Sequence, residues 1–491
     1  MRRGDGYGPG MPAFRGYGRL ALRAGLALGA AAAVLVGEAT GWLHVTLAGI
    51  LDWTCGAYVV HRIGSARVSP LYLLLWVPLA FLLPRSTALA LFLFGGRKHD
   101  ALAAAKREVN RVAWSLTERP ATPGNAFRLL GDRHGRDTLD ALRAEILAAR
   151  RRIHIATYIL SPDEVGRELV GLLARRAREG VQVRLLVDAV GSWGTPLIVC
   201  RPLLRAGGRV ARFNPALPLQ GKGSANWRNH RKLAIFDGRV AIIGGQNLGL
   251  AYMGERPSNR RFRDCSCRLE GPAAGALERV FVADWCQATD EPPLRFADLL
   301  RERHLPAGPA DVEVVATGPD AEGDPLWDTY VKLFAEARAS ITVVTPYFVP
   351  DRALFALLET AARAGRRVRV VVPRRSDHRL LDFARRWYLR RLHEAGAECL
   401  FFKPDVLHAK LAIVDGKAAV IGSANLDMRS LFLNYEIGAV LRDAEAVATL
   451  EAYVEALVPE CGAYSADLHR RSRTWTGRVA ERLSRILAPL L

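Results

Sequence analysis

Two stretches of the chain carry the same reactive side chains at the same spacing. The first reads HRKLAIFDGRVAIIGGQNLG, from His230 to Gly249, and the second HAKLAIVDGKAAVIGSANLD, from His408 to Asp427. In each, a histidine is followed two positions on by a lysine, Lys232 or Lys410, and five beyond that by an aspartate, Asp237 or Asp415. Each then runs through apolar residues into a small-residue segment with an asparagine, Asn247 or Asn425. A single histidine in an apolar segment is most often a satisfied core residue. Two copies with matching His, Lys, Asp and Asn point instead to one active site built from two halves. Joined, they supply two imidazoles, two ammonium groups and two amides. No acidic cluster that would hold divalent metals accompanies them, and lysines beside the histidines would repel zinc, so no metal or other cofactor is expected. A cationic pocket of this kind suits an anionic group, above all a phosphodiester. Ammonium and amide groups stabilise charge on the non-bridging oxygens. One histidine can attack phosphorus while the other protonates the leaving alcohol. Water as the acceptor gives hydrolysis and a second alcohol gives transfer. The near symmetry of the copies leaves open which histidine does which.

The elements around the motifs must bring the two copies together. Residues i and i+2 of a strand share a side, which pairs His230 with Lys232 and His408 with Lys410. Residues 240–243 and 418–421 read as the next strands, with Asn247 and Asn425 in the loops that follow. Upstream, residues 138–152 show helical apolar spacing, 153–160 read as a strand, and a further helix ends at Gly180 before the strand VQVRLLVD. The order starts again near Asp328, so whole domains are duplicated. Tyr158 and Tyr347 hold equivalent places, as do Asp163 and Asp351. The alternation predicts an α/β fold, each domain a mainly parallel sheet covered on both faces, over residues 118–295 and 312–491, the second closing in a basic C-terminal segment with Arg470, Arg471, Arg473, Arg478, Arg482 and Arg485. LLRERHLPAGPADV between them reads as a linker.

The 491 residues suffice for two to four domains, and half of them are apolar, which excludes a disordered chain. A net charge of +20 attracts polyanions, with nucleic acid and an anionic membrane leaflet both candidates. The seven sparse cysteines form no disulfide scaffold, and Cys265 and Cys267 have no second pair to complete a zinc site. A reducing compartment fits them. Residues 1–110 contain two apolar stretches, about 20–51 and 70–96. The second is long enough to cross a bilayer. Basic residues before the first stretch and after the second predict a helical hairpin with both ends cytoplasmic. A cleaved signal peptide or a buried hairpin are the alternative readings.

HxKxxxxD followed by GGxN or GSxN, in duplicate, resembles the phospholipase D superfamily signature over residues 118–470. NHRKLAIFDGRVAIIGGQNLGLAY, LHAKLAIVDGKAAVIGSANLDMRSLFLNYE, PYFVPD and the closing LSRILAPLL resemble its bacterial cardiolipin synthase branch in particular. That resemblance implies two phospholipase D-like domains in pseudo-twofold symmetry, preceded by a transmembrane helical region. It implies a multi-pass protein of the bacterial inner membrane with cytoplasmic catalytic domains. The implied reaction moves a phosphatidyl group from one phosphatidylglycerol to a histidine and then to a second phosphatidylglycerol, giving cardiolipin and glycerol. His230 is the implied nucleophile, with His408 as acid and then base. Lys232, Lys410, Asn247 and Asn425 would bind phosphate, with Asp237 and Asp415 in support. Ser423, which stands where the first copy has Gly245, is a one-sided candidate. Glu436 is a candidate orienter of a histidine, with its first-half equivalent near Asp264. The implied partners are phosphatidylglycerol, other anionic lipids and the bilayer. A hydrolase or headgroup exchanger with another donor shares these residues. A nuclease fits the charge, but the apolar N-terminal region and the lack of an aromatic stacking platform argue against it. A scaffold with dead motifs is at odds with two intact copies.

Overall fold

A computed structural model of the protein describes residues 51–59, 78–79, 82–94, 123–195, 197–215, 226–258, 261–404, 406–465, 475 and 481. The chain divides into two units, Met1–Gly96 with Pro215–Asn226, and Arg97–Asn214 with Trp227–Leu491.

In the first unit residues 51–59, 78–79 and 82 are helical, and a helix runs over Pro84–Phe94. Arg85, awkward inside an apolar stretch, donates to Asp52 (2.7 Å). The expectation of a multi-pass membrane location does not stand: among the described residues no helix is long and apolar enough to cross a membrane. The stretch 70–96 reads as one span in sequence, but the chain bends at Leu83 and a new helix begins at Pro84. Proline fits a first helical turn and disrupts an interior one. The 11 residues of that helix rise about 16 Å, short of a hydrocarbon core of about 30 Å. The rest of the first apolar stretch, 20–50, and the basic C-terminal segment apart from Trp475 and Glu481 lie outside the described residues.

The second unit is built on two large sheets. The strands of the first are β1 (Ala126–Leu130), β2 (Arg152–Thr157), β3 (Gln182–Asp188), β4 (Arg209–Phe213), β5 (Leu233–Phe236), β6 (Val240–Gly244) and β7 (Ser266–Glu270), in the order β1-β7-β6-β5-β2-β3-β4. The second half contributes β8 (Val312–Thr317), β9 (Ser340–Val344), β10 (Phe348–Val349), β11 (Arg367–Pro373), β12 (Glu398–Phe402), β13 (Leu411–Val414), β14 (Ala418–Gly422), β15 (Leu426–Asp427), β16 (Glu436–Leu441) and β17 (Cys461–Ala463). Its large sheet runs β17-β12-β11-β9-β13-β14-β16-β8, while β10 and β15 pair separately. Apart from the added edge strand β17, the two orders superpose strand for strand, so the duplication extends to topology.

The sheets are mixed rather than mainly parallel. β2, β3 and β4 run parallel, whereas β5, β6, β7 and β1 follow in antiparallel pairs. The motif itself forces this. Asp237 and Gly238 have φ of 53° and 71°, and Asp415 and Gly416 have φ of 54° and 63°. Two consecutive left-handed residues form a tight turn whose twist suits antiparallel neighbours. Arg239 N closes the first turn on Phe236 O (3.0 Å) and Lys417 N the second on Val414 O (2.9 Å).

Alternation then sorts the side chains. Leu233 and Ile235 of β5 join Leu411 and Ile413 of β13 in one core shared by both halves, which also takes in the helices Pro272–Thr289 and Ala444–Leu457. Ala234 and Phe236 face a first-half core under the helices Arg136–Ala148, Glu164–Arg178 and Leu197–Arg205. Ala412 and Val414 face the equivalent second-half core. Asp163 and Asp351 are equivalent helix caps: Asp163 accepts from Gly166 N (3.0 Å), and Asp351 from Ala353 N (3.0 Å) and Leu354 N (3.2 Å). The linker is laced to the start of the first half, where Ala310 N donates to Asn125 O (2.7 Å).

Candidate active site

Each histidine lies in an extended segment just before its strand, and each segment pairs with the other half of the molecule. His230 N donates to Tyr435 O (2.9 Å) and Tyr435 N to Arg228 O (2.9 Å). His408 N donates to Arg263 O (2.7 Å) and Arg263 N to Val406 O (2.9 Å). The residue after each partner is a carboxylate, so the same bridges that join the halves deliver a carboxylate to each ring. His230 Nδ1 lies 2.9 Å from Glu436 Oε1 and 3.1 Å from Oε2. His408 Nδ1 lies 2.6 Å from Asp264 Oδ2. Both carboxylates fall where the sequence places candidate orienters.

Aromatic rings fix the imidazoles. Tyr158 meets His230 edge-on at 4.9 Å between centroids, while Tyr252 and Phe262 flank His408, each at 5.4 Å. Both lysines are buried beside their histidines. Lys232 Nζ donates to His230 O (2.8 Å), and Lys410 Nζ contacts the His408 carbonyl and also lies 2.8 Å from His408 Nδ1. Asn247 Oδ1 accepts from Ile159 N (3.1 Å). Asn425 is 5 % exposed, and its Oδ1 is buried without a hydrogen-bond partner among the described groups.

Burial dominates the electrostatics. It pushes the His230 imidazole down to about 4, with Lys232 and Lys410 adding to the effect and Glu436 opposing it. His408 is held well below its ordinary range by burial, Lys410 and Lys232. Burial also lowers both lysines. The carboxylates diverge. Burial pushes Asp264 up to about 7 despite Lys410 and the Cys265 N–H. Glu436 is equally buried yet held below its usual range, because His230, Lys232 and the Ser423 hydroxyl outweigh desolvation. Ser423 Oγ donates to Glu436 Oε2 (2.5 Å), and Asn434 Nδ2 to Oε1 (3.2 Å).

The motif aspartates are not brought to the rings. The four-residue strand β5, roughly 13 Å long, separates His230 from Asp237, and β13 separates His408 from Asp415 in the same way. Asp237 accepts from the N–H groups of Arg150, Arg151 and Arg152 (2.8, 2.7 and 2.9 Å). Asp415 accepts from those of Arg338, Ala339 and Ser340 (each 2.7 Å). These aspartates clamp the hairpin to the strand beside it and so hold the histidine segments from a distance.

One group of residues beside the site is not evident from the repeated motif. Arg231, fully buried, donates to Asp284 (2.6 Å), Thr317 O (2.9 Å) and Glu436 O (3.1 Å). Asn229 N donates to Asp188 Oδ2 (2.8 Å), and Arg228 lies 3.3 Å from Asp188 Oδ1. The second-half counterparts are Val406, Leu407 and Ala409, with Pro373 in the place of Asp188. The signal was readable as RNHRK against VLHAK, polar on one side only. Arg231→Ala is expected to lower unfolding free energy by about 3–5 kcal/mol, since it removes the positive charge that pairs with the buried Asp284 carboxylate. A shift of less than about 1 kcal/mol in urea unfolding would show that the pair contributes little.

Two matches to the model of the family described as cardiolipin synthase, PLD-like domain, cover residues 142–285 and 330–458, one in each half. The chain is 34 % identical over 396 residues to a cardiolipin synthase of Geobacillus kaustophilus, covering 79 % of this chain and 77 % of that one. It is 34 % identical over 370 residues to the major cardiolipin synthase ClsA of Bacillus subtilis, covering 75 % and 76 %. The crystal structure of a phosphatidylserine synthase of Haemophilus influenzae Rd KW20 shares the fold at a TM-score of 0.57 and 16 % identity, over 78 % of this chain and all of that one. The duplicated domains, the paired histidine motifs and these similarities together establish that the chain belongs to the PLD-like cardiolipin synthase family.

Proposed function

We infer that the protein is a cardiolipin synthase that condenses two phosphatidylglycerol molecules through a phosphatidyl-histidine intermediate. The observation that carries the reading is the reciprocal pairing of His230 with Glu436 and His408 with Asp264 across the two halves. Two imidazoles, His230 half-buried and His408 buried, each held by a carboxylate, are what a two-step displacement at phosphorus requires. The His230 Nε2 lone pair forms a bond to phosphorus. The bond from phosphorus to the headgroup oxygen breaks, and His408 supplies the proton with which glycerol leaves. The headgroup hydroxyl of the second phosphatidylglycerol then enters, returns a proton to His408, forms its bond to phosphorus and releases His230. Lys232, Lys410, Asn247 and Asn425 hold the non-bridging oxygens as charge moves onto them. Asp237 and Asp415 maintain the backbone on which the histidines stand. The substrates are anionic lipids taken from a bilayer surface, which agrees with the chain's net charge of +20.

The test is incubation of the purified full chain with headgroup-labelled phosphatidylglycerol in mixed micelles. Equal amounts of cardiolipin and labelled free glycerol are expected. Phosphatidic acid as the sole lipid product would replace this reading with hydrolysis. Turnover only after addition of phosphatidylethanolamine would mean a different donor.

A further inference from the structure

The two halves are alike in topology but not in what surrounds each carboxylate. Glu436 is met by His230 and by two neutral donors, the Ser423 hydroxyl and the Asn434 amide. The position equivalent to Ser423 is Gly245, and there the space is already taken. A Cβ on Gly245 would stand 2.2 Å from Asp264 Oδ1 and 2.6 Å from Oδ2. Asp264 therefore lies flush against a glycine, and beyond His408 it accepts only from the Cys265 N–H (2.8 Å) among the described residues. The lysines differ in step with this. Lys410 Nζ reaches His408 Nδ1 at 2.8 Å, whereas among the described residues Lys232 makes no hydrogen bond to the His230 ring.

We propose that Ser423 is the positioning residue that separates the roles of the two histidines. By donating to Glu436 it keeps that carboxylate an anion, so the Glu436–His230 pair holds a single proton, on Nδ1, and the Nε2 lone pair is free to attack. The Asp264–His408 pair lacks the serine and carries one proton more. That proton is the one the departing alcohol takes. The balance closes over the cycle. The first step forms the bond between Nε2 and phosphorus, breaks the bond to the alcohol and leaves the Asp264–His408 pair one proton poorer. In the second step the incoming hydroxyl restores that proton as its oxygen displaces Nε2. Burial raises both carboxylates, and only at Glu436 do His230, Lys232 and the Ser423 hydroxyl outweigh it, which agrees with this division. The inference rests on the phosphatidyl-transfer reading above.

Among the described residues His230 faces Glu436, Lys232 and Lys410, with Asp264 and His408 beyond them. Glu436 faces His230, Lys232, Lys410 and Ser423, and influences Asp427, Tyr330 and Tyr158 nearby. His408 faces Asp264, Lys410, Lys232 and Asp377. Among the described residues, the uncharged side chains that donate to Glu436 are Ser423 and Asn434. Removing either therefore changes the pair without altering the net charge of the site.

The experiment is the pH dependence of kcat and KM for wild type, Ser423→Ala and Asn434→Ala on phosphatidylglycerol in mixed micelles. A hydrogen bond to an ionised group is lost in Ser423→Ala. Glu436 then either binds a proton itself or pulls one onto His230, and both outcomes remove the free lone pair. The acid limb of kcat is expected to move up by roughly one pH unit, with KM little changed. Asn434→Ala, which removes the longer of the two bonds, is expected to move it less in the same direction, and decides the matter alone if Ser423→Ala does not fold. A uniform loss at all pH values with an unshifted limb would reduce Ser423 to packing and overturn the proposal. So would trapping the labelled phosphatidyl group on His408 in wild type. A wild type that makes no cardiolipin at any pH defeats the functional reading instead, a result distinct from an unshifted limb.

Discussion

His230→Ala is expected to lower cardiolipin formation by at least about ten-thousandfold, and His408→Ala by a comparable factor, yet the two losses differ in kind. Without His230 there is no lone pair to attack phosphorus, and no choice of substrate repairs that. Without His408 the nucleophile remains and what is missing is the proton for the leaving alcohol. A phosphodiester with a p-nitrophenyl leaving group needs no such proton, because the phenolate departs as a stable anion. On that substrate His408→Ala should release nitrophenolate in a burst equivalent to the enzyme present and then stall, since the entering hydroxyl also needs a base. His230→Ala should give no burst. A burst in His230→Ala but not in His408→Ala would reverse the roles. Normal cardiolipin synthesis in either variant would end the two-half mechanism, because each histidine has its carboxylate from the opposite half and neither half holds a complete set.

Glu436→Gln should cost roughly a thousandfold or more with either leaving group. The substitution preserves shape and removes charge. An amide facing Nδ1 can donate to it, which moves the ring proton to Nε2 and blocks attack. It also leaves the positive charge of the phosphorylated imidazole without its counter-ion in a buried site. Asp264→Asn should be costly for phosphatidylglycerol but mild for the nitrophenolate burst, because in that first step Asp264 acts only through the proton that His408 supplies. Equal losses for the two variants on both substrates would mean that the carboxylates do no more than hold the rings in place. Both variants remove one buried negative charge and are compared at matched stability, measured by urea unfolding.

Much of this was legible because the chain states it twice. The spacing from His230 to Asp237 and from His408 to Asp415 marks a strand ending in a tight turn, and the Asp-Gly pair at each end is a hairpin signal in its own right. β6 and β14 lie close to where the apolar runs place them. The parallel expectation for the sheets failed because helix-strand alternation upstream describes only β2 to β4, whereas the motif hairpins build the antiparallel remainder. The multi-pass expectation is corrected at Pro84, where the apolar run hides a helix boundary and where, among the described residues, no helix is long and apolar enough to cross a membrane.

Periodicity and spacing are local, and they determined by themselves the residue types of the site, the duplicated domains and the pairing of each histidine with its lysine. Which carboxylate meets which ring depends on contacts between residues 206 apart for Glu436 and His230 and 144 apart for Asp264 and His408, beyond the reach of any local pattern. Nor does the spelling of GGQN and GSAN reveal that Gly245 makes room for Asp264 while Ser423 donates to Glu436. Only tertiary packing decided that, because a carboxylate's proton affinity in the interior depends on how many donors surround it. The sequence names two equivalent histidines, and the fold makes them unequal.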